Sequence, residues 1–140
     1  MDHGLFPAFL KLSGRRVLVV GGGTVAASKI DALLRSGADI TVVAPSVSPA
    51  IVESGVTVLR RRFRRTDLDG VWFVVSAATP LVNQFVARLA EPRCLYVNAV
   101  DDPANASAYL GGVVRRVNLR TCTRADRRVD RHAILPALGR

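Results

Sequence analysis

The sequence predicts an α/β fold in which a parallel β-sheet carries helices on both faces. Three observations predict it. Short β-branched runs alternate with segments of helical periodicity. The first helical segment returns to the next strand through a very short loop, which requires parallel strands and a right-handed crossover. The run Val17–Val20 ends in Gly21, Gly22 and Gly23 and continues directly into a helical pattern, an order typical of a Rossmann-type nucleotide-binding domain.

Composition limits the class of protein. The chain has 140 residues, of which 49% are hydrophobic, so one globular core is expected. No apolar run is long enough to span a bilayer, and the first residues lack the pattern of a secretion signal. Cys94 and Cys122 form neither a disulfide framework nor a metal-spaced cluster. We therefore expect a cytoplasmic protein with no membrane partner and no metal site.

The net charge of +9 is concentrated in two places. Eight arginines against two aspartates follow Val113, and a second cluster occupies residues 60–65. Such runs are typical of a surface that binds nucleic acid, of a basic surface that faces only solvent, or of a site for a substrate with many carboxylates. Since no helix-turn-helix, zinc knuckle or aromatic-studded sheet motif accompanies them, we do not expect nucleic-acid binding.

The first half of the domain begins with a strand at about residue 16. The following helix ends at Gly37, which supplies a left-handed stop, and the second strand spans 39–43. Ser48 and Pro49 read as the N-cap and first residue of a short helix that Gly55 ends. The predicted apolar face of the first helix consists of Ala26, Ile30, Leu33 and Leu34.

The second half contains three more strands, expected at 56–59, 71–78 and 95–97. The run 71–78 is apolar enough to be a central strand buried on both faces. Thr79 is expected to cap the next helix, with Pro80 at its first position. The predicted buried face of that helix consists of Val82, Phe85, Val86 and Leu89.

The glycine loop has the spacing G-x-G-x-x-A, with Ala26 as its last member. Gly21 gives a tight turn, Gly23 leaves room for a pyrophosphate, and Ala26 lets the helix pack closely on the strand. The backbone N–H groups of the helix N-terminus favour an anionic ligand there. Ligands of such sheets lie beyond the carboxyl ends of the strands. Four loops are expected to converge at that edge: Gly21–Val25, Ala44–Ser46, Ala78–Thr79 and Asn98–Pro103.

Two of these loops leave alternatives open. The loop Ala44-Pro45-Ser46 stands where many dinucleotide folds have an acidic residue for the ribose, so the sequence does not choose between NAD and NADP. Ser46 either bonds a ribose or closes the turn. Asp101 and Asp102 either form a turn before Pro103 or supply a general base beside the cofactor.

The chain resembles the precorrin-2 dehydrogenases, including the N-terminal module of siroheme synthase, over roughly residues 4–118. The segments that carry the resemblance are, in order, Leu5–Leu12, Val17–Ala26, Lys29, Thr41–Pro45, Asp67–Trp72, Ala77–Thr79 with Asn83, and Val97–Pro103. The run Val-Asn-x-Val-Asp-Asp-Pro at this distance from a glycine loop is the most specific of them.

The resemblance implies NAD-dependent oxidation of precorrin-2 to sirohydrochlorin, and in some members the insertion of ferrous iron. By position, Asp101 matches the catalytic aspartate of the family, and Asn98, Arg115 and Arg116 become candidates for binding the substrate. The candidates for holding NAD are Gly21, Gly22, Gly23, Thr24, Val25, Ala44, Pro45, Ser46 and Thr79. An NAD-binding module that has lost its catalysis is the alternative.

The chain departs from the family after about residue 118. The family continues here into an apolar strand, a loop of the form Ser-(Thr or Ser)-Gly-Gly, and a helical region used for dimerisation and substrate enclosure. Residues 119–128 of this chain show no such strand or glycine pair. A truncation or a shifted reading frame is one explanation. We accordingly predict an NAD-binding domain over 1–113 and an altered remnant of the dimerisation region, an atypical Arg-rich tail, over 114–140.

Overall fold

The computed structural model describes residues 3–116, 119–124 and 133–136. Its main sheet has five parallel strands in the order β3-β2-β1-β4-β5. The strands are β1 Arg16–Val20, β2 Asp39–Val43, β3 Thr57–Leu59, β4 Phe73–Ser76 and β5 Val97–Ala99. The helices are α1 Thr24–Arg35, α2 Pro49–Glu53 and α3 Pro80–Ala90, with 3₁₀ turns at Arg65–Leu68, Glu91–Arg93 and Pro103–Asn105. The predicted parallel α/β fold is confirmed.

The strand order determines where a ligand can bind. The chain builds outward from β1 to β3 and then returns to place β4 on the other side of β1. Because all five strands are parallel, their carboxyl ends lie along one edge of the sheet, and the order reverses between β1 and β4. Open α/β sheets bind ligands beyond that edge at such a reversal.

The core lies on both faces of the sheet, as the alternation along β1 shows. Val17 and Val19 pack with Ile30 of α1, whereas Leu18 and Val20 pack with Val86 of α3. These four β1 side chains are at most 2% exposed, whereas Arg16 at the start of β1 is exposed. Each buried side chain of this size contributes roughly 1.5–3 kcal/mol, so the packing holds the start of the glycine loop firmly.

Two of the predicted helix faces need correction. Leu34 is 40% exposed and Phe85 is 49% exposed, because the buried stripes are narrower than the apolar patterns. Phe85 instead packs edge-on against Phe63 at the rim, with ring centroids 5.8 Å apart. The stripe of α3 that faces the sheet consists of Asn83, Val86 and Ala90, so a polar side chain takes a place in the core.

The caps and strand limits also differ in detail. Thr79 caps α3 as predicted, since its hydroxyl accepts a hydrogen bond from the Val82 amide at 3.4 Å. Ser48 is the N-cap of α2 by position but makes no side-chain cap hydrogen bond. The fifth strand begins at Val97, two residues later than predicted, because Cys94 takes a left-handed conformation with a φ of 56° before it.

A second sheet of three antiparallel strands follows, comprising β6 Gly111–Arg116, β7 Leu119–Arg124 and β8 Ala133–Pro136. No strand was expected between 119 and 128, so β7 corrects that expectation. The reason is pairing with the strands before and after it: Cys122 is in register with Val113 on one side and with Ala133 on the other. Periodicity within one segment does not report such partners. The domain boundary at 113 stays a prediction.

Candidate functional site

The first residue of the glycine loop is constrained by two neighbouring strands. Gly21 has a φ of +123°, which a residue with a side chain rarely adopts. A Cβ atom here would run into the carbonyl group of Ala77 and come within 3.3 Å of the Ala78 amide. The Gly21 N–H donates to the Val43 carbonyl at 3.0 Å. Gly21 therefore lets the loop pass tightly between the ends of β2 and β4.

The second glycine joins two of the predicted loops. A Cβ atom on Gly22 would collide with the carbonyl oxygen of Ser46 and lie 2.9 Å from the Cα of Val47. The Gly22 carbonyl also accepts a hydrogen bond from the Ser48 amide at 2.7 Å. The structure thus brings the loop after β2 into backbone contact with the glycine loop. Ala44 is buried there, whereas Pro45 and Ser46 are exposed.

The third glycine faces open space. A Cβ atom on Gly23 would meet nothing within 4 Å, and the first hydrogen bond of α1 runs from the Ala27 amide to the Gly23 carbonyl at 3.0 Å. The amides of Thr24 and Val25 therefore have no acceptor within the helix. No acidic residue lies in this first turn. An open, positively polarised helix end fits the pyrophosphate of a dinucleotide.

A buried amide side chain in the first turn of α3 connects the end of β4 to the loop after β5. Asn83 is 2% exposed, and its Oδ1 accepts hydrogen bonds from the Ser76 hydroxyl at 2.7 Å and the Ala78 amide at 3.1 Å. Its Nδ2 donates to Oδ2 of Asp102 at 3.3 Å. Asn105 donates to the same oxygen at 2.8 Å. Asp102 is therefore a structural carboxylate that anchors the loop after β5.

Asp101 differs from its neighbour. Its backbone is left-handed, with a φ of +55°, and its side chain is exposed. Within the described part of the chain, no hydrogen bond or ion pair engages its carboxylate. The preceding Val100 amide donates to the Ser76 carbonyl at 2.9 Å, which ties this turn to the end of β4. The structure thus separates the two acids: Asp102 is bound to amides, and Asp101 is free to meet a ligand.

The remaining candidates are spread around the edge. Asn98 is 6% exposed, its Nδ2 donates to the Ala108 carbonyl at 3.1 Å, and its buried Oδ1 has no partner among the described residues. Thr79 is exposed and uses its hydroxyl as the helix cap. Arg115 and Arg116 lie on β6, where only the backbone is described. The assignments to cofactor, substrate and catalysis stay predictions.

One arginine of the 60–65 cluster has a defined partner. The Arg61 guanidinium donates two hydrogen bonds to the Asp67 carboxylate, at 2.9 and 2.5 Å. Burial alone would raise the pKa of Asp67, but the hydrogen bonds from the Arg61 side chain and the Arg64 amide outweigh it and lower the pKa. This pair is structural and leaves the other arginines of the cluster for solvent or a ligand.

Sequence reasoning did not identify the role of Asn83 or of Asn105. The available signal was an asparagine four residues after a helix cap, in register with Val86 and Ala90 on the face that packs on the sheet. Polar residues at such a position are seldom buried without partners.

Among the described residues, no group of three or more potential metal ligands occurs, and no helix has the length and hydropathy to cross a membrane.

Comparison with known proteins gives a consistent result. Residues 8–112 match the family model described as "Putative NAD(P)-binding". The chain is 41% identical over 119 residues to siroheme synthase 2 of Aeromonas salmonicida, covering 83% of this chain and 24% of that protein. It is 41% identical over 121 residues to siroheme synthase of Pseudomonas entomophila, covering 83% and 26%. The chain thus spans about a quarter of the length of these relatives.

Solved structures agree with the sequence relatives. The structure titled "SirC, precorrin-2 dehydrogenase" superposes with a TM-score of 0.76 at 32% identity, covering 89% of this chain and 64% of that one. A D-lactate dehydrogenase from Salmonella superposes with a TM-score of 0.51 at 15% identity over 63% of this chain and 27% of that one. The second likeness shows the fold alone, and the first supports the expected nicotinamide cofactor.

Proposed function

Because the chain belongs to the NAD(P)-binding family that its residues 8–112 match, and is similar to siroheme synthases, we propose that it oxidises precorrin-2 to sirohydrochlorin with NAD. One observation carries the proposal. The open glycine loop at the end of β1 and the exposed carboxylate of Asp101 after β5 lie on the same edge of the sheet, with β4 between them. A dehydrogenase needs a cofactor site and a proton acceptor in such proximity.

The residues of the glycine loop would hold the dinucleotide. The amides at the start of α1 would bind its pyrophosphate, since Gly23 leaves the approach clear. Ala44, Pro45 and Ser46 would border the adenosine ribose, and Thr79 would border the cofactor at the end of β4. When bound, NAD supplies the nicotinamide ring that accepts a hydride from the substrate.

Asp101 would accept the proton that the substrate loses together with the hydride. Its exposed carboxylate has no partner in the described part of the chain, so the proton can be received without breaking an internal hydrogen bond. Asn83 and Asn105 hold the adjacent Asp102 and thereby position the turn that carries Asp101. Arg115 and Arg116 suit the carboxylates of the substrate, because guanidinium groups bind them in a bidentate manner. Asn98 would orient the macrocycle.

One further activity and one oligomeric state follow from the resemblance and extend this proposal. Ferrous iron would be a second substrate, with Asp101 taking the pyrrole protons that iron insertion releases. The family resemblance also implies a homodimer. An iron-insertion assay with sirohydrochlorin and analytical ultracentrifugation test these two points independently of the dehydrogenase assay.

The decisive experiment measures NADH formation and sirohydrochlorin absorbance after precorrin-2 and NAD are mixed with the purified chain. Asp101→Asn keeps the left-handed turn, which asparagine tolerates, but removes the base. We expect kcat to fall by roughly 10²–10⁴-fold, with the Kd for NAD unchanged.

Asp39→Asn is the matched control, because Asp39 is an exposed acid at the opposite edge of the sheet. It should retain wild-type turnover. If Asp101→Asn also kept its kcat, the assignment of the base would be wrong. If the wild-type chain bound NAD but produced no sirohydrochlorin, the chain would be a binding module without this reaction.

A further inference from the structure

A basic segment, Arg60–Arg65, leaves the sheet beside the loop Ala44–Ser46. Leu59, the last residue of β3, is in register with Val43, the last residue of β2. The Ala44 amide donates to the Leu59 carbonyl at 3.1 Å. Neighbouring strands lie about 4.8 Å apart, so the backbone of the basic segment starts about one strand spacing from this loop.

The backbone of the basic segment is fixed at several points. The Arg61 amide donates to the Leu59 carbonyl at 3.0 Å, and the Arg61 guanidinium holds Asp67, whose side chain is only 6% exposed. The Arg64 amide donates to the same carboxylate at 2.7 Å. Phe63 packs on Phe85. These contacts hold the segment against the edge of the sheet without using the side chains of Arg60 or Arg62.

Arg60 and Arg62 remain available to a ligand. Both side chains are exposed, and neither takes part in a side-chain hydrogen bond or ion pair in the part of the chain that the structure describes. The Arg61–Asp67 pair neutralises its own charges, so the two flanking arginines, Arg60 and Arg62, carry uncompensated positive charge in the segment that begins beside the loop after β2.

In dinucleotide-binding sheets, the adenosine ribose lies at the end of the second strand. A carboxylate there bonds the 2′-hydroxyl of NAD, whereas a nearby arginine accommodates the 2′-phosphate of NADP. Here the loop Ala44–Ser46 has no acid, and the adjacent charge is positive. We propose that Arg60 and Arg62 form a subsite for the 2′-phosphate of NADP, with the exposed Ser46 hydroxyl as a further donor.

The strand order disfavours the alternative that these arginines bind the carboxylates of the substrate. β3 and β5 are the two outer strands of the sheet, so Arg60 lies four strand spacings, or roughly 19 Å, from the turn that carries Asp101. The residue that follows β3 directly, Arg60, is therefore on the adenosine side of the edge. The inference deepens the proposed function and rests on it for the site, since it concerns which dinucleotide that same site accepts.

The test is calorimetric titration of the full chain with NAD, NADP and adenosine 2′,5′-bisphosphate. The wild-type chain should bind NADP with a Kd within about tenfold of its Kd for NAD. Arg60→Ala combined with Arg62→Ala should raise the Kd for NADP and for the bisphosphate by about tenfold or more, because charge-assisted hydrogen bonds to the phosphate are lost. The Kd for NAD should stay unchanged, which also shows that the variant is folded.

Arg64→Ala combined with Arg65→Ala is the matched control. It removes the same charge from two exposed side chains of the same segment, which lie farther along the chain from the end of β3. It should therefore raise the Kd for NADP far less. Equal loss in both double variants would show general electrostatic attraction and overturn the subsite. NADP binding more than about tenfold weaker than NAD in the wild-type chain would overturn it as well. If neither dinucleotide bound, the proposed function would fail with it, whereas lack of turnover alone would leave this inference intact.

Discussion

Replacing Asn83 with alanine tests the most connected polar side chain of the site. Asn83→Ala leaves the fully buried Ser76 hydroxyl and the partly buried Ala78 amide without their acceptor. A buried polar group that loses its partner costs about 1–3 kcal/mol. Since Asp102 keeps its bond from Asn105, we expect the free energy of unfolding to fall by about 2–4 kcal/mol in total. This is a large part of the roughly 5–15 kcal/mol of a typical domain.

Urea unfolding followed by circular dichroism measures the change. Gln84→Ala is the control, because Gln84 is the exposed neighbour on the same helix, and it should stay within about 0.5 kcal/mol of the wild type. A double-mutant cycle with Ser76→Ala should give a coupling energy of about 0.5–3 kcal/mol. A loss below about 1 kcal/mol for Asn83→Ala would refute the view that the amide satisfies both groups.

The same variant separates positioning from binding. Among the described residues, the Asn83 side chain forms hydrogen bonds with Ser76, Ala78 and Asp102, which is next to Asp101, and none with the glycine loop. In precorrin-2 assays, the folded Asn83→Ala protein should therefore lose kcat more than it loses affinity for NAD. An equal loss of both would mean that the substitution disturbs the whole edge of the sheet.

The remaining predictions concern the glycine loop and the Asp67 ion pair. Gly23→Ala should retain wild-type stability, since its Cβ meets nothing within 4 Å, but should raise the Kd for NAD by about tenfold or more. Gly22→Ala should lose stability as well, because its Cβ collides with the Ser46 carbonyl; equal urea midpoints for the two variants would contradict this. The lowered pKa of Asp67 stabilises the fold above about pH 4, and that stabilisation is lost as the pH falls through the lower native value. Asp67→Asn should therefore show a weaker decline of unfolding free energy below pH 4 than the wild type, and identical acid profiles would count against the pair.

The fold could be predicted from the sequence because several independent features of the sequence indicate the same arrangement. The buried strand β1, the glycines after it and the periodicity of α1 all require the same parallel unit, and tight β-α turns leave few alternatives. The limits of β2 were predicted to the residue. Where an element depends on pairing with other strands, as β7 does between β6 and β8, the residues of that element alone carried too little information.

The candidate site was only partly predictable, for a related reason. The glycine loop and the Asp101–Asp102 pair could be found from spacing, because backbone demands at a tight turn select particular residues. The separate roles of the two acids could not, since they depend on Asn83 and Asn105, which reach Asp102 from different elements. The prediction that Leu34 and Phe85 are buried was wrong, because an apolar residue at the margin of a buried helix face is often exposed.

The position of the basic segment has a consequence for the behaviour of the protein at high concentration. β3 is an outer strand of only three residues, paired on one side with β2 among the described strands. An unpaired strand edge invites a second molecule to extend the sheet, and natural proteins prevent this with short edge strands and with charge. Like-charged guanidinium groups directly after β3 would repel an identical edge. Neutralising them would therefore make the protein prone to aggregate through this strand, whatever ligand the arginines bind.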